Sequence, residues 1–360
     1  MSTATAPAAV GKHVAEMAAS ASTRGTYLSL KQWAPSDGFV DAAALLNVTS
    51  PRRIFMANSE PLMSTLDFLA KHERNIIRTM QQVFRTHCKR DRLFLDSGAN
   101  DGFWSMLAAS HNCGVIAVEP QAHCIDLLRA ALERNRMRNN VTLLNRLLAA
   151  GDAAKPPMKV PIDQCHGTAQ FLADRGVVSD ATGYGRRIRK GADARQSKTR
   201  AVPFVSVDSL VDRGQTIALW HLDVEGAEPF ALRGAAKAIR ERRVQRLLME
   251  VMPSRWQAHG LSLQGGLDIA ANLLRGWECI TMCEPWPRFS WTTKSVHSNL
   301  ETGRKSICQD VYCVGPGKQR TERLLYGRQV PTHEAEIEEM RIDLLRETLR
   351  GDTLISQFVP

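Results

Sequence analysis

The sequence predicts an α/β fold with a doubly wound, mostly parallel sheet, and three observations carry that expectation. Short apolar runs recur at Leu93–Leu95, Val115–Val118, Val141–Leu144, Thr216–Leu222 and Arg246–Val251, with helical spacing between them. Such alternation is the pattern of βαβ units. Acidic residues stand where the first, second and fourth runs end: Asp96, Glu119 and Asp223. A turn with two glycines, Gly98 and Gly102, follows the first run. Right-handed crossovers place every strand-to-helix turn at one edge of such a sheet, and ligands of doubly wound folds bind there.

The elements follow in order. Residues 1–25 are rich in Ala, Ser and Thr and nearly free of acids. Without a continuous apolar stretch they read as a disordered tail rather than a secretory signal, with organellar targeting as the alternative. Residues 26–90 read as a helical extension, because Leu66, Leu69, Ile76, Ile77, Met80, Val83 and Phe84 recur at spacings of three and four between Leu62 and Cys88. Residues 91–316 form the main domain. Its helices are expected from Phe103, over Ala122–Arg136, over Ala227–Arg240 with Pro229 tolerated in the first turn, and over Leu261–Arg275. Two last strands, Trp277–Cys283 and Ile307–Val314, are joined by a long loop carrying Trp286, Phe289 and Trp291, a candidate lid or stacking platform. Residues 317–360 are a C-terminal segment with an amphipathic helix over Glu334–Leu349.

Composition narrows the class. The 360 residues are 44% hydrophobic and 23% charged, an ordinary balance for a chain with a sizeable core. No stretch approaches the roughly 18 apolar residues of a membrane span. Eight dispersed cysteines favour reduced, buried thiols and a cytoplasmic, intracellular protein. Cys279/Cys283 and Cys308/Cys313 lie in apolar, strand-like runs, so no metal site is expected of them. The net charge is +10, and Tyr184–Arg200 holds seven basic side chains against one acid, Asp193. That segment reads as an exposed mobile loop, either a solvated insertion or a docking element for an anionic partner such as a phosphate, a nucleic-acid backbone or an acidic glycan.

The glycine turn reads Leu95-Asp96-Ser97-Gly98-Ala99-Asn100-Asp101-Gly102. A dinucleotide site uses G-x-G-x-x-G to cradle a diphosphate, whereas this turn is G-x-x-x-G led by an acid. A carboxylate there repels a pyrophosphate but suits an ammonium or a sulfonium, and S-adenosylmethionine (SAM) carries both. Glu119, at the next strand end before Pro120, can accept hydrogen bonds from both ribose hydroxyls. Asn145, just past the third strand, is placed to meet the adenine edge. The predicted cofactor set is therefore Asp96, Ser97, Gly98, Ala99, Asn100, Gly102, Glu119, Pro120, Asn145 and Asp223.

These residues resemble the FkbM-like methyltransferases. Leu95–Gly102 is similar to the family's D-x-G-A-N-x-G turn, and Val118-Glu119-Pro120 to its V-E-P strand end. Val207-Asp208-Ser209-Leu210, then Leu222-Asp223-Val224-Glu225-Gly226-Ala227-Glu228, resembles V-x-T-L-D followed by K-I-D-V-E-G-A-E. Trp220-His221 stands where the family has Ile-Lys. The resemblance implies a Rossmann-like sheet with an antiparallel last strand, SAM as cofactor, and methyl transfer to a hydroxyl of a small molecule or glycan. Transfer from a sulfonium requires alignment of the acceptor and, for a hydroxyl, removal of its proton. Asp223, Glu225 and His221 are the candidate catalytic residues; the bland alternatives are helix-start acids for Glu225 and Glu228 and a core imidazole for His221. Competing functions are an RNA methyltransferase using the basic loop and a SAM-binding module without turnover.

Overall fold

The computed structural model describes residues 38–89, 91–149, 158–161, 165, 169–172, 176–179, 199–282, 288–295 and 310–318. The tail, most of the basic segment, Trp286 and the expected C-terminal helix lie outside the described residues.

The core is an eight-stranded sheet. Its strands are β1 (Arg92–Ser97), β2 (Gly114–Val118), β3 (Val141–Leu144), β4 (Thr216–Leu222), β5 (Arg246–Glu250), β6 (Glu278–Thr281), β7 (Arg288–Phe289) and β8 (Asp310–Val314). Their spatial order is β7-β6-β8-β5-β4-β1-β2-β3. The chain starts in the middle at β1, steps outward to β3, then returns to β4 on the other side of β1. Pairings among β1 to β5 are parallel, while β8 lies antiparallel to both β5 and β6. The expected mostly parallel sheet with an antiparallel last strand is what the chain forms, and β6 runs in the same direction as β5. The order reverses between β1 and β4, which opens a crevice at their carboxyl ends.

The extension resolves into a short antiparallel pairing of Phe39–Asp41 with Phe55–Ala57 and two helices, α1 (Glu60–His72) and α2 (Arg74–His87). Sequence spacing suggests one continuous helix here; the chain breaks it at Glu73, whose backbone leaves helical geometry (φ −119°, ψ 27°). Ser59 starts α1 by accepting from the Leu62 N–H at 3.3 Å. Besides the short helices Ala42–Leu45 and Val207–Leu210, further helices are α3 (Phe103–Ser110), α4 (Ala122–Arg134), α5 (Glu228–Gly234), α6 (Ala236–Arg240), α7 (Pro253–Ala258) and α8 (Leu263–Leu273). The single helix expected over 227–240 is thus two, parted at Ala235.

Strand alternation sends side chains to two cores. Phe94, Leu219, Leu248 and Tyr312 face a cluster with Leu66, Met80, Phe84, Met106 and Leu128 from α1–α4. Leu95, Trp220, Leu247 and Val311 face the other, with Ala231, Leu232, Trp256 and Leu267 from α5, α7 and α8. Both faces are covered, as a parallel sheet requires.

The thiol expectation is corrected. Cys88–Cys113, Cys124–Cys165 and Cys279–Cys313 are disulfides, with Cα separations of 4.6, 5.0 and 4.1 Å. Spacing along the chain hides these partners because tertiary neighbours create them; Cys279 and Cys313, for example, are directly opposite on β6 and β8. Phe289 is also buried, packing edge-on against Trp291 with ring centroids 4.9 Å apart, so it is a core residue rather than an exposed platform.

Candidate active site

The crevice is built where β1 meets β4. Gly98 has φ +80°, and a Cβ there would lie 1.7 Å from the Asp223 carbonyl oxygen. Only glycine lets the first turn pass this close to the end of β4. The Gly98 and Ala99 N–H groups donate to Val118 O at 2.9 and 3.2 Å, and Asp223 N donates to Ser97 O at 3.0 Å. One compact backbone knot therefore joins the three strand ends that the sequence marks with acids.

Around that knot the predicted cofactor residues come together. Glu119 is buried, accepting from Asn100 N at 2.9 Å and from Gln121 N at 2.8 Å. Burial pushes its carboxyl up to about 7 against those two hydrogen bonds. Asn100 follows in the left-handed region, φ +49°. Asn145 donates to the carbonyls of Glu119 and Pro120 at 3.0 and 2.8 Å, tying β3 to the end of β2. Ser97 turns inward and accepts from Trp220 Nε1 at 2.9 Å.

Asp96 is fully buried, and its two oxygens serve the protein itself. One lies 2.9 Å from His221 Nδ1; the other accepts from Ser105 Oγ at 2.5 Å. The pairing follows from register, since Asp96 sits beside His221 on adjacent parallel strands. Burial pulls the imidazole down, but the Asp96 hydrogen bond and charge, with Asp223 and Asp310 behind them, carry its pKa above the ordinary value.

The same sheet face gathers acids that the sequence reading missed. Glu250 ends β5 and pairs in register with Asp310 at the start of β8. Asp223 lies two residues beyond His221, and Glu73 approaches from the α1–α2 break. Burial and mutual repulsion raise Glu73, Asp223 and Glu250, and hold Asp310 at about 7. Glu250 ends an apolar run like the other marked acids, so its signal was in the chain. Asp310 begins its strand and reaches this edge only because β8 is antiparallel. Ligand atoms of Asp223, Glu225 and Glu250 lie within 4.8 Å of one another, close enough to share a cation. Glu225, at φ +56°, is ion-paired with Arg255 of α7. Glu228 accepts from Gly226 N at 2.7 Å and from Trp256 Nε1 at 2.9 Å, so it braces the turn rather than the pocket.

The glycine turn led by an acid, the second acid at the neighbouring strand end and the third across the switch point all fall in the stretch that matches a methyltransferase family. Residues 96–262 match the methyltransferase FkbM domain. Comparison with curated proteins finds no match. Among solved structures, a precorrin-6y C5,15-methyltransferase from Geobacter metallireducens GS-15 is 12% identical, with 67% of this chain and 87% of that one covered at a TM-score of 0.31. A METTL16 MTase domain is 9% identical, covering 71% and 78% at 0.37. A human methyltransferase 10 domain containing protein is 10% identical, covering 68% and 82% at 0.33.

Two features of the turn are compatible with a nucleoside cofactor. Gly98 lets the turn pack directly on the end of β4, and the Glu119 carboxylate retains lone pairs beyond its two backbone donors.

Proposed function

We propose that the domain methylates a hydroxyl of a small molecule or glycan, with His221 as the proton acceptor. The observation that carries this reading is the Asp96–His221 pair at the carboxyl edge, 2.9 Å apart. Bound SAM supplies a sulfonium-activated methyl group. Asp96 fixes the imidazole by engaging Nδ1, which leaves Nε2 to take the acceptor's proton, the division of labour of a carboxylate-oriented histidine. Asp223, one side-chain alternation further along, orients the hydroxyl or the methionine ammonium. Glu119 serves the ribose and Asn145 the adenine edge. Several carboxylates around His221 make a neutral hydroxyl a better fit at the reacting end than a phosphate or carboxylate, which they would repel. An anionic portion of the acceptor would instead meet the basic residues of 184–200.

Labelled SAM, the protein and a fractionated extract of the source cells test the reading. The label is expected in small-molecule or glycan fractions, on oxygen by mass spectrometry, and resistant to ribonuclease. Label on RNA, or SAM binding without transfer to any fraction, would overturn it. His221→Ala is expected to lower transfer about 10²–10⁴-fold while leaving SAM affinity intact.

A further inference from the structure

The Cys124–Cys165 disulfide lies against the cofactor turn. Cys124 is in the first turn of α4, just beyond Glu119 and Pro120, and Cys165 comes from a separate segment 41 residues later. Both are buried, at 0% and 2% exposure, in a small cluster with Phe39, Ala57 and Leu127. Their sulfurs lie 3.5 and 3.2 Å from one atom, Asn100 Oδ1. Asn100 is the turn residue whose N–H holds Glu119 and whose backbone is left-handed.

The two redox states cannot treat that atom alike. As thiols, both cysteines carry a hydrogen and can donate to Asn100 Oδ1. As a disulfide they donate nothing, and a covalent bond pins Cys165 to α4 beside the turn. We propose that this pair is a redox switch on the SAM site, with the disulfide form binding SAM more tightly. The proposal rests on the placement of SAM at the Asp96–Gly102 turn with Glu119 on its ribose. The chemistry is ordinary exchange with a small thiol. Two thiol molecules deliver two electrons and two protons, the Cys124–Cys165 bond breaks, two protein thiols form, and the small molecule leaves as its own disulfide.

The test is calorimetric titration with SAM, in oxidised glutathione and in dithiothreitol, with the state of each cysteine checked by alkylation and mass spectrometry. Reduced wild type is expected to bind SAM about tenfold more weakly, within the usual range of coupling between sites. Linkage then requires SAM to lower the pair's midpoint potential by about 30 mV, the two-electron equivalent of tenfold. Cys165→Ser keeps the other two disulfides and should match reduced wild type, with no response to reductant. Equal affinity in the two verified states, or a reductant response that persists in Cys165→Ser, would overturn the switch. Glu119→Ala separates the premises. If it leaves SAM affinity unchanged, the cofactor placement fails and the proposal with it. If it weakens SAM while binding ignores redox state, the placement stands and only the switch is lost.

Discussion

Glu119 and Asp96 end neighbouring strands with the same chemistry and are put to different uses. Glu119 accepts two backbone N–H groups and stays at the crevice, whereas Asp96 spends its oxygens on His221 and Ser105. Glu119→Ala is expected to weaken SAM binding by about 1.5–3 kcal/mol, the scale of a lost charge-assisted hydrogen bond, as measured by calorimetry. Asp96→Asn should act through His221 instead. Losing the carboxylate removes what holds the imidazole's pKa up, so the pH at which methyl transfer switches on should move lower. His221 must be neutral to accept a proton, so in wild type the rate should climb as pH rises through its raised pKa. A pH–rate profile for the two proteins checks the direction.

The turns and helix starts around β4 show how few contacts set the crevice. Gly98 touches the Asp223 backbone at a positive φ, so alanine there meets both strain and a carbonyl that cannot yield. Gly98→Ala should cost about 2–5 kcal/mol in urea denaturation and reduce SAM binding with it. Glu228 works on the far side of the same turn. Its carboxylate, pushed up to about 7 by burial, holds Gly226, next to Glu225, and Trp256, next to Arg255. One side chain thereby aligns both partners of the Glu225–Arg255 pair. Glu228→Ala leaves two buried donors unsatisfied and should destabilise the protein by about 1–3 kcal/mol. An equal loss for alanine at an exposed position such as Glu241 would contradict this account.

Across the whole sheet, the acids collected at the carboxyl edge link stability to pH. Asp310 is held at about 7 against an ordinary 3.8, by burial first and by Asp223 second, with His221 partly offsetting both. Through the window from 3.8 to about 7 the folded protein binds a proton that the unfolded chain has released. Stability contributed by this group is therefore greatest at low pH and falls as pH rises through that window. Asp310→Asn should raise the melting temperature by about 2–4 °C above about pH 7 and change it little below about pH 4. The opposite pH dependence would mean that the acid stabilises the fold. For position in a membrane, no helix among the described residues is long and apolar enough to cross one.

Strand and helix periods, glycines and strand-end acids are local properties, so the sequence by itself determined the α/β class, the strands β1 to β5 nearly to the residue, and the turn at Asp96–Gly102. The resemblance to FkbM-like methyltransferases rests on those same local residues. The tertiary structure alone decided what pairs with what. Register brought Asp96 beside His221, a pairing the sequence did not announce. The antiparallel direction of β8 delivered Asp310 to Glu250, and strand and helix neighbours made disulfides of cysteines expected to be thiols. Each of these contacts joins residues far apart in the chain, and no local period records a partner that only crossover order and strand direction bring within reach.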